Sequence, residues 1–273
     1  MNEEEILEIW KEHFEEVLDV GSAGTELPDG TSAVAAQQLQ KITTSETSEA
    51  EIRGTITRLK NGKSLWMDFI SVEMLSCRQD DAVKKLFNKI VAKQKVPSDW
   101  RRSLIAKIPK RGNLTICHNY RGISLLSVSS KIFCRILIDG MKKGIDERLY
   151  QEQAGFRRGR GTLEQIFTWA MYGMTDFVDF RKVFDSVISE KLRAVMQGYG
   201  IPSKYVNIIR DLYDQSLRNI LEGRRTSDWF EVRSGVKQDC VMFGYIFVIV
   251  IDWLMRNTRQ KKRTALESHH CPQ

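Results

Sequence analysis

Apolar residues recur every three to four positions near the N-terminus, at Leu7, Trp10, Phe14, Val17 and Leu18, with glutamates filling the positions between them. That period predicts an amphipathic helix over residues 3–18 that packs one face and turns an acidic face outward. Residues 20–47 lose the periodicity and carry Gly, Ser, Thr and Pro, which predicts a linker. Ser48 and Glu51 form a capping-box pattern ahead of Ile52, Ile56 and Leu59, so a helix is expected to open there and to close at Asn61-Gly62. A second helical stretch is expected over about 70–94, before Pro97, and after Trp100 the alternation in SLIAKIP predicts a strand at about 103–108. Helical patterns recur at about 127–148, 161–172, 188–198, 203–220 and 242–257, with short strands at about 176–180 and 228–234. No internal repeat is present. The mixture predicts an α+β protein, mostly helical with short antiparallel strands.

Composition narrows the class. With 273 residues and 42% hydrophobic content, the chain can bury the core of one large domain or two small ones. Lys+Arg 42 against Asp+Glu 35 gives a net charge of +7, which favours a polyanionic partner yet is modest enough to serve solubility alone. Five cysteines, at 77, 117, 134, 240 and 271, form no C-x-x-C pair, which argues against a disulfide framework or a zinc knuckle and for a reducing compartment. Cys117-His118 and His269-His270-Cys271 do not have zinc-site spacing. The N-terminus MNEEEILEIW is acidic where a signal peptide is basic and then apolar. The longest uncharged apolar run, VMFGYIFVIVI at 241–251, is shorter than the ~18 residues of a membrane span and reads as a core helix. A cytoplasmic or nuclear protein is expected, not secreted and without membrane contact.

Candidate chemistry begins with FVDFRKVFDSV at 177–187, which sets Asp179 and Asp185 six positions apart in an otherwise mostly apolar run. In one strand they would share a face but lie ~20 Å apart, and in one helix they would point about 240° round from each other. A third reading ends a buried strand at FVDF and opens a turn and helix at KVFDSV, leaving Asp179 at the strand tip as the chemical group and Asp185 as a cap. Three basic clusters follow the same logic. AKIPKRGN at 106–113 puts Lys107, Lys110 and Arg111 before Gly112, either a hairpin that lays cations against phosphates or a solvated turn. NYRGISLL at 119–126 places Arg121 where a guanidinium could grip a triphosphate or pair with a carboxylate. EQAGFRRGRGTLEQIF at 152–167 holds Arg157, Arg158 and Arg160 among glycines that allow a nucleic-acid backbone to come close.

The order of these segments is more specific than any one of them. IPKRGN, NYRGISLLSVSSKIFCRIL, EQAGFRRGRGTLEQIF, FVDFRKVFDSV and SGVKQDCVMFGYIF resemble the successive fingers and palm motifs of the reverse transcriptase of non-long-terminal-repeat (LINE-like) retrotransposons. The likeness covers roughly residues 1–258, since WKEHFEEVL is similar to the connector that precedes the polymerase in those polyproteins. It implies a right-hand polymerase fingers region plus an incomplete palm, an RNA-directed DNA polymerase ancestry, and Mg²⁺, deoxynucleoside triphosphates, an RNA template and a DNA primer as ancestral cofactor and partners. By resemblance, Asp179 is the first catalytic aspartate and, with the carbonyl of Phe180, would hold metal. Phe184 is the bulky residue under the sugar, Lys110 and Arg121 are the cations around the triphosphate with Lys107 a rival for the first, and Gln238 lies near the nucleotide sugar and template. Asp185 belongs to the motif without being a ligand.

The departures from the family shape the expectation equally. Family members continue past VIDWLMR to a hairpin bearing an aromatic-Ala-Asp-Asp sequence that completes the metal cage. Here the only adjacent aspartates, Asp80-Asp81, fall in a polar helical context that reads as a solvated face. Two magnesium ions ~3.5–4 Å apart are hardly held by one carboxylate, so weak metal binding is expected. NGKSLWMDFI replaces the family's Ala-Pro-Gly turn, TWAMYGMTD is shorter than the usual connector, Asp239 and Phe243 stand where glycine and serine are usual, and Val183 replaces an alanine. The expected organisation is an N-terminal helix and linker over 1–47, a fingers-like region over 48–175, a partial palm over 176–258 and a basic disordered tail over 259–273. The expected function is a truncated reverse transcriptase domain that does not polymerise alone. A non-catalytic nucleic-acid-binding remnant and a decayed gene product are the alternatives.

Overall fold

Five strands form one mixed sheet in the computed structural model, which describes residues 2–18, 42, 46–62, 66, 68–76, 80–157, 159–161, 163, 166–167, 189–223, 225–232 and 240–268. β1 (Arg102–Pro109) lies between β2 (Tyr120–Leu125), which is antiparallel to it, and β3 (Ser216–Glu222), which is parallel. On its far edge β3 pairs antiparallel with β4 (Arg225–Thr226) and β5 (Phe230–Val232). The parallel pair corrects the expectation of antiparallel strands alone. It follows from a second correction: the helix expected over 203–220 ends at Tyr213. Asp214 is extended and Gln215 takes a φ of 47°, so the chain turns and SLRNILE enters the sheet as β3. Its burial on both faces gives it no clean alternation to betray a strand.

The local signals are realised closely. α1 (Glu3–Leu18) buries Leu7, Trp10 and Phe14 and exposes its glutamates. α2 (Glu49–Ile56) opens on the capping box, with the Glu51 N–H donating to Ser48 Oγ at 3.3 Å and the Ser48 N–H to Glu51 Oε2 at 2.8 Å. It closes at Ile56, not at Asn61-Gly62, because Arg58 and Leu59 donate to Thr55 O and Ile56 O and tighten the chain early. The expected 70–94 helix is described as α3 (Val72–Ser76) and α4 (Asp80–Lys93) on either side of residues 77–79. α5 (Val128–Asp146), α6 (Ser189–Gly198) and α7 (Ser203–Tyr213) start where expected. α8 (Val241–Ser268) runs further than the helix expected over 242–257. The strand expected at 176–180 lies outside the described residues, as does most of the helix expected at 161–172. No helix among the described residues is long and apolar enough to cross a membrane.

Two cores result. The larger packs α2, α4, α5, α6, α7 and α8 together through Ile52, Phe87, Ile132, Met141, Val206 and Ile246, with Phe87, Trp100 and Phe133 meeting at ring separations of 5.1–6.3 Å. The smaller lies between α1 and one face of the sheet and consists of Trp10, Phe14, Ile105, Ile220, Phe230 and Val232. Gly122 of β2 is the close-approach point of this layer. A Cβ there would sit 2.6 Å from Phe14 Cε1 and 2.8 Å from Ile105 Cγ2.

Candidate functional site

The hairpin β1–β2 is built by its own loop. The Lys110 N–H donates to Asn119 O at 2.7 Å, which carries the pairing one step past β1. Asn113 Oδ1 accepts from the Thr115 N–H and hydroxyl at 3.0 and 2.8 Å, and Asn119 Nδ2 donates to Asn113 O at 2.7 Å. Gly112, at φ 125°, supplies the conformation that a side-chain-bearing residue resists.

Register decides which way each cation points. Ile108 faces Arg121 and Lys107 faces Gly122, so strand alternation puts Arg121 and Lys110 on the face away from α1 and Lys107 on the face beneath it. Lys107 is fully engaged there: its ammonium pairs with Glu222 at 2.6 Å and lies 4.3 Å from the centre of the Trp10 ring. Lys110 and Arg121 are exposed, and among the described residues neither has an ion pair. The Lys110 ammonium donates to His118 O at 2.9 Å. Lys107 and Lys110 thus lie on opposite faces of the hairpin, a separation that no local pattern reveals.

The arginine cluster divides. Arg157 is turned inward, its side chain 4% exposed. Its Nε donates to Asp146 Oδ1 at 2.7 Å, Nη1 to Tyr150 O and Gln153 O at 2.8 and 3.1 Å, and Nη2 to Asp146 O at 2.9 Å. Instead of facing phosphate as expected, it clamps the end of α5 to the following loop. Arg160 bonds to the carbonyl and side-chain oxygens of Gln151. Arg158, Asp179, Phe180, Phe184, Asp185 and Gln238 lie outside the described residues. Among the described residues no group of three or more His, Cys, Asp or Glu side chains is placed to hold a metal ion.

The Arg157 hydrogen bond is the main cause that holds the Asp146 carboxyl below its ordinary value, with burial opposing it. A lowered carboxylate stabilises the fold above the ordinary pKa range, and that contribution is lost as pH falls through the lowered value. Arg157→Ala is expected to lower stability by about 1.5–3 kcal/mol and to flatten this acid-side dependence. Denaturant unfolding of the wild type and the variant across pH measures both.

A second polar centre was invisible in the pattern. Asp252 of α8, 2% exposed, accepts from the Tyr150 N–H and from Arg256 Nε, each at 2.7 Å, and from the Tyr199 hydroxyl. Arg256 also donates to Arg148 O and stacks 4.1 Å above the Tyr150 ring. Burial first, and then Asp252, push the Tyr199 phenol above its ordinary range. The one available signal was the acid itself, sitting in VIDWLMR one turn before Arg256.

Comparison with known proteins places these elements. A family model described as reverse transcriptase (RNA-dependent DNA polymerase) matches residues 108–271. The Xenopus laevis transposon TX1 uncharacterized 149 kDa protein is 22% identical over 242 residues, 83% of this chain and 18% of its own length. The probable RNA-directed DNA polymerase from transposon BS of Drosophila melanogaster is 30% identical over 178 residues, covering 60% and 19%. The corresponding protein from the Drosophila melanogaster X-element is 28% identical over 223 residues, covering 73% and 24%. The chain thus spans about a fifth of the length of the curated relatives it matches.

Proposed function

This chain belongs to the reverse transcriptase (RNA-dependent DNA polymerase) family, and we propose that it supplies the fingers and part of the palm of a retrotransposon-type RNA-directed DNA polymerase. The observation that carries this reading is the hairpin, whose free face bears Lys110 and Arg121 while Lys107 is tied to Glu222 and Trp10. Two cations that have no carboxylate partner among the described residues, set on a strand pair, suit the phosphates of a nucleotide. Charge-assisted bonds to phosphate are roughly twice as strong as neutral ones, and the fork of Arg121 can grip two oxygens at once. In this proposal Asp179 and the carbonyl of Phe180 would hold Mg²⁺, which would supply the charge that polarises a primer hydroxyl and neutralises a triphosphate. Phe184 packs beneath the sugar, Gln238 reads the sugar and template side, and Arg158 and Arg160 approach the nucleic-acid backbone. The resemblance assigns Asp179 as one cage carboxylate, and nucleotide and nucleic-acid binding are expected of these residues whether or not a primer is extended.

Equilibrium binding of a labelled deoxynucleoside triphosphate tests the carrying observation. Lys110→Gln and Arg121→Gln are each expected to weaken it about 10-fold or more, the equivalent of a charge-assisted hydrogen bond. Affinity unchanged in both variants overturns the assignment. Primer extension in Mg²⁺ or Mn²⁺, with Asp179→Ala as control, tests the incompleteness of the cage: an Asp179-dependent product would show the chain to be a self-sufficient polymerase.

A further inference from the structure

The solvent face of α4 carries a row of cations that neither the core nor the hairpin site uses. α4 buries Val83, Phe87, Ile90 and Val91, which leaves Lys85, Lys89 and Lys93 exposed at successive four-residue steps. They stand one above another about 6 Å apart, a ridge about 12 Å long. Among the described residues none of the three has an ion pair or a side-chain hydrogen bond, whereas the flanking Lys84 is paired with Glu49 at 3.2 Å. Two carboxylates of the neighbouring helices have other partners. Asp211 accepts from the Val96 N–H at 2.7 Å and lies 3.9 Å from Arg101, and Asp139 is paired with Arg58. Asp81, one turn before Lys85, makes no ion pair with it.

Two bland explanations fall short. The negative end of the helix dipole favours Lys93 in the last turn but gives nothing to Lys85 in the first half of the helix. A solvated face ordinarily mixes signs, because like charges one turn apart destabilise a helix. The ridge is also held firmly at its C-terminal end, where Gln94 Oε1 accepts from Asn207 Nδ2 of α7 at 2.7 Å. The solvent face of α1 has the opposite sign, with Glu4, Glu5, Glu8, Glu12 and Glu16 exposed. A polyanion meeting this molecule is repelled by α1 and drawn to α4.

We propose that Lys85, Lys89 and Lys93 form a tracking ridge for the phosphate backbone of a nucleic-acid strand, a contact outside the nucleotide site. A strand presents one phosphate per ~3.4 Å of axis, so the ridge spans about three to four of them. The contact stands on the charge and geometry of α4 and requires neither Asp179 nor the hairpin cations.

Salt titrations of the full chain with labelled single-stranded RNA and with duplex DNA of mixed sequence test it. The triple variant Lys85→Gln, Lys89→Gln, Lys93→Gln is expected to reduce the slope of log affinity against log salt by about 2 on single strands or about 2.7 on duplex, and the arm that changes identifies the strand type. The corresponding Lys→Arg triple keeps the slope, and an unchanged thermal transition shows that both variants fold. An unaltered slope in both arms with an intact fold overturns the proposal. So does a Gln triple that only dissociates a self-associated wild type, which would assign the ridge to the acidic α1 of a second copy. Triphosphate binding stays as in the unmutated chain, which separates this outcome from a failure of the polymerase reading.

Discussion

Alanine at position 252 is expected to lower the unfolding free energy by about 3–5 kcal/mol, as breaking buried ion pairs does. Asp252 is the common acceptor for three donors: the Tyr150 N–H, the Tyr199 hydroxyl and Arg256 Nε. Its removal strands the hydroxyl of the wholly buried Tyr199 and takes the acceptor from the half-buried Tyr150 N–H and Arg256. Set against a usual total of about 5–15 kcal/mol, the loss leaves a marginal fold. Asp252→Asn keeps an acceptor oxygen but not the charge, so it should fall between the wild type and the alanine variant in denaturant unfolding. Arg256→Ala should cost less than Asp252→Ala, since the Arg256 side chain is 26% exposed and its loss leaves the carboxylate with two donors. Equal stability of the wild type and Asp252→Ala would mean that α8 is not fastened to α6 and the end of α5 in this way.

A single methyl group on β2 is expected to have an effect of a different kind. Gly122→Ala places a carbon 2.6 Å from Phe14 Cε1 and 2.8 Å from Ile105 Cγ2, well inside van der Waals contact. Ile105 sits in the central strand, 2% exposed, and cannot give way. Phe14 must therefore move and take α1 with it. The expected cost is about 1–3 kcal/mol, toward the upper end for valine. Displacement of α1 also uncovers Trp10, which lies against Lys107 and 4.8 Å from the Tyr120 ring, so a red shift in tryptophan emission should accompany the loss. Adding Phe14→Ala to Gly122→Ala should recover part of the stability, a coupling that appears only if the two side chains compete for the same space. Strict additivity of the two substitutions would count against this packing.

What the amino-acid pattern revealed depended on how far apart the partners lie along the chain. α1 and the capping box at Ser48 and Glu51 were legible because every interacting position falls within one or two turns. β3 was read as a continuation of α7 because its identity as a strand comes from β1, whose Arg102 faces Leu217. Propensity yields to such long-range pairing. Asp252 gave little warning beyond its spacing to Arg256, because its other partners Tyr199 and Tyr150 are 53 and 102 residues away. Lys107 stood as a rival to Lys110 in a linear reading, and only the register shows that the two lie on opposite faces. Arg157 looked like its neighbours in a glycine-rich basic run, yet Asp146 and three carbonyls claim its guanidinium.

The parallel union of β1 and β3 also sets an order of events during synthesis. The β1–β2 hairpin can zip as soon as it leaves the ribosome, but the other side of β1 stays bare until α7 has been made and β3 follows it. For that interval the nascent polypeptide displays an open, partly apolar sheet border, the kind of surface that recruits a like strand from another molecule. Yield in a heterologous host should thus respond to translation speed through the segment between the two strands and to chaperone supply, even for variants whose finished fold is unaltered.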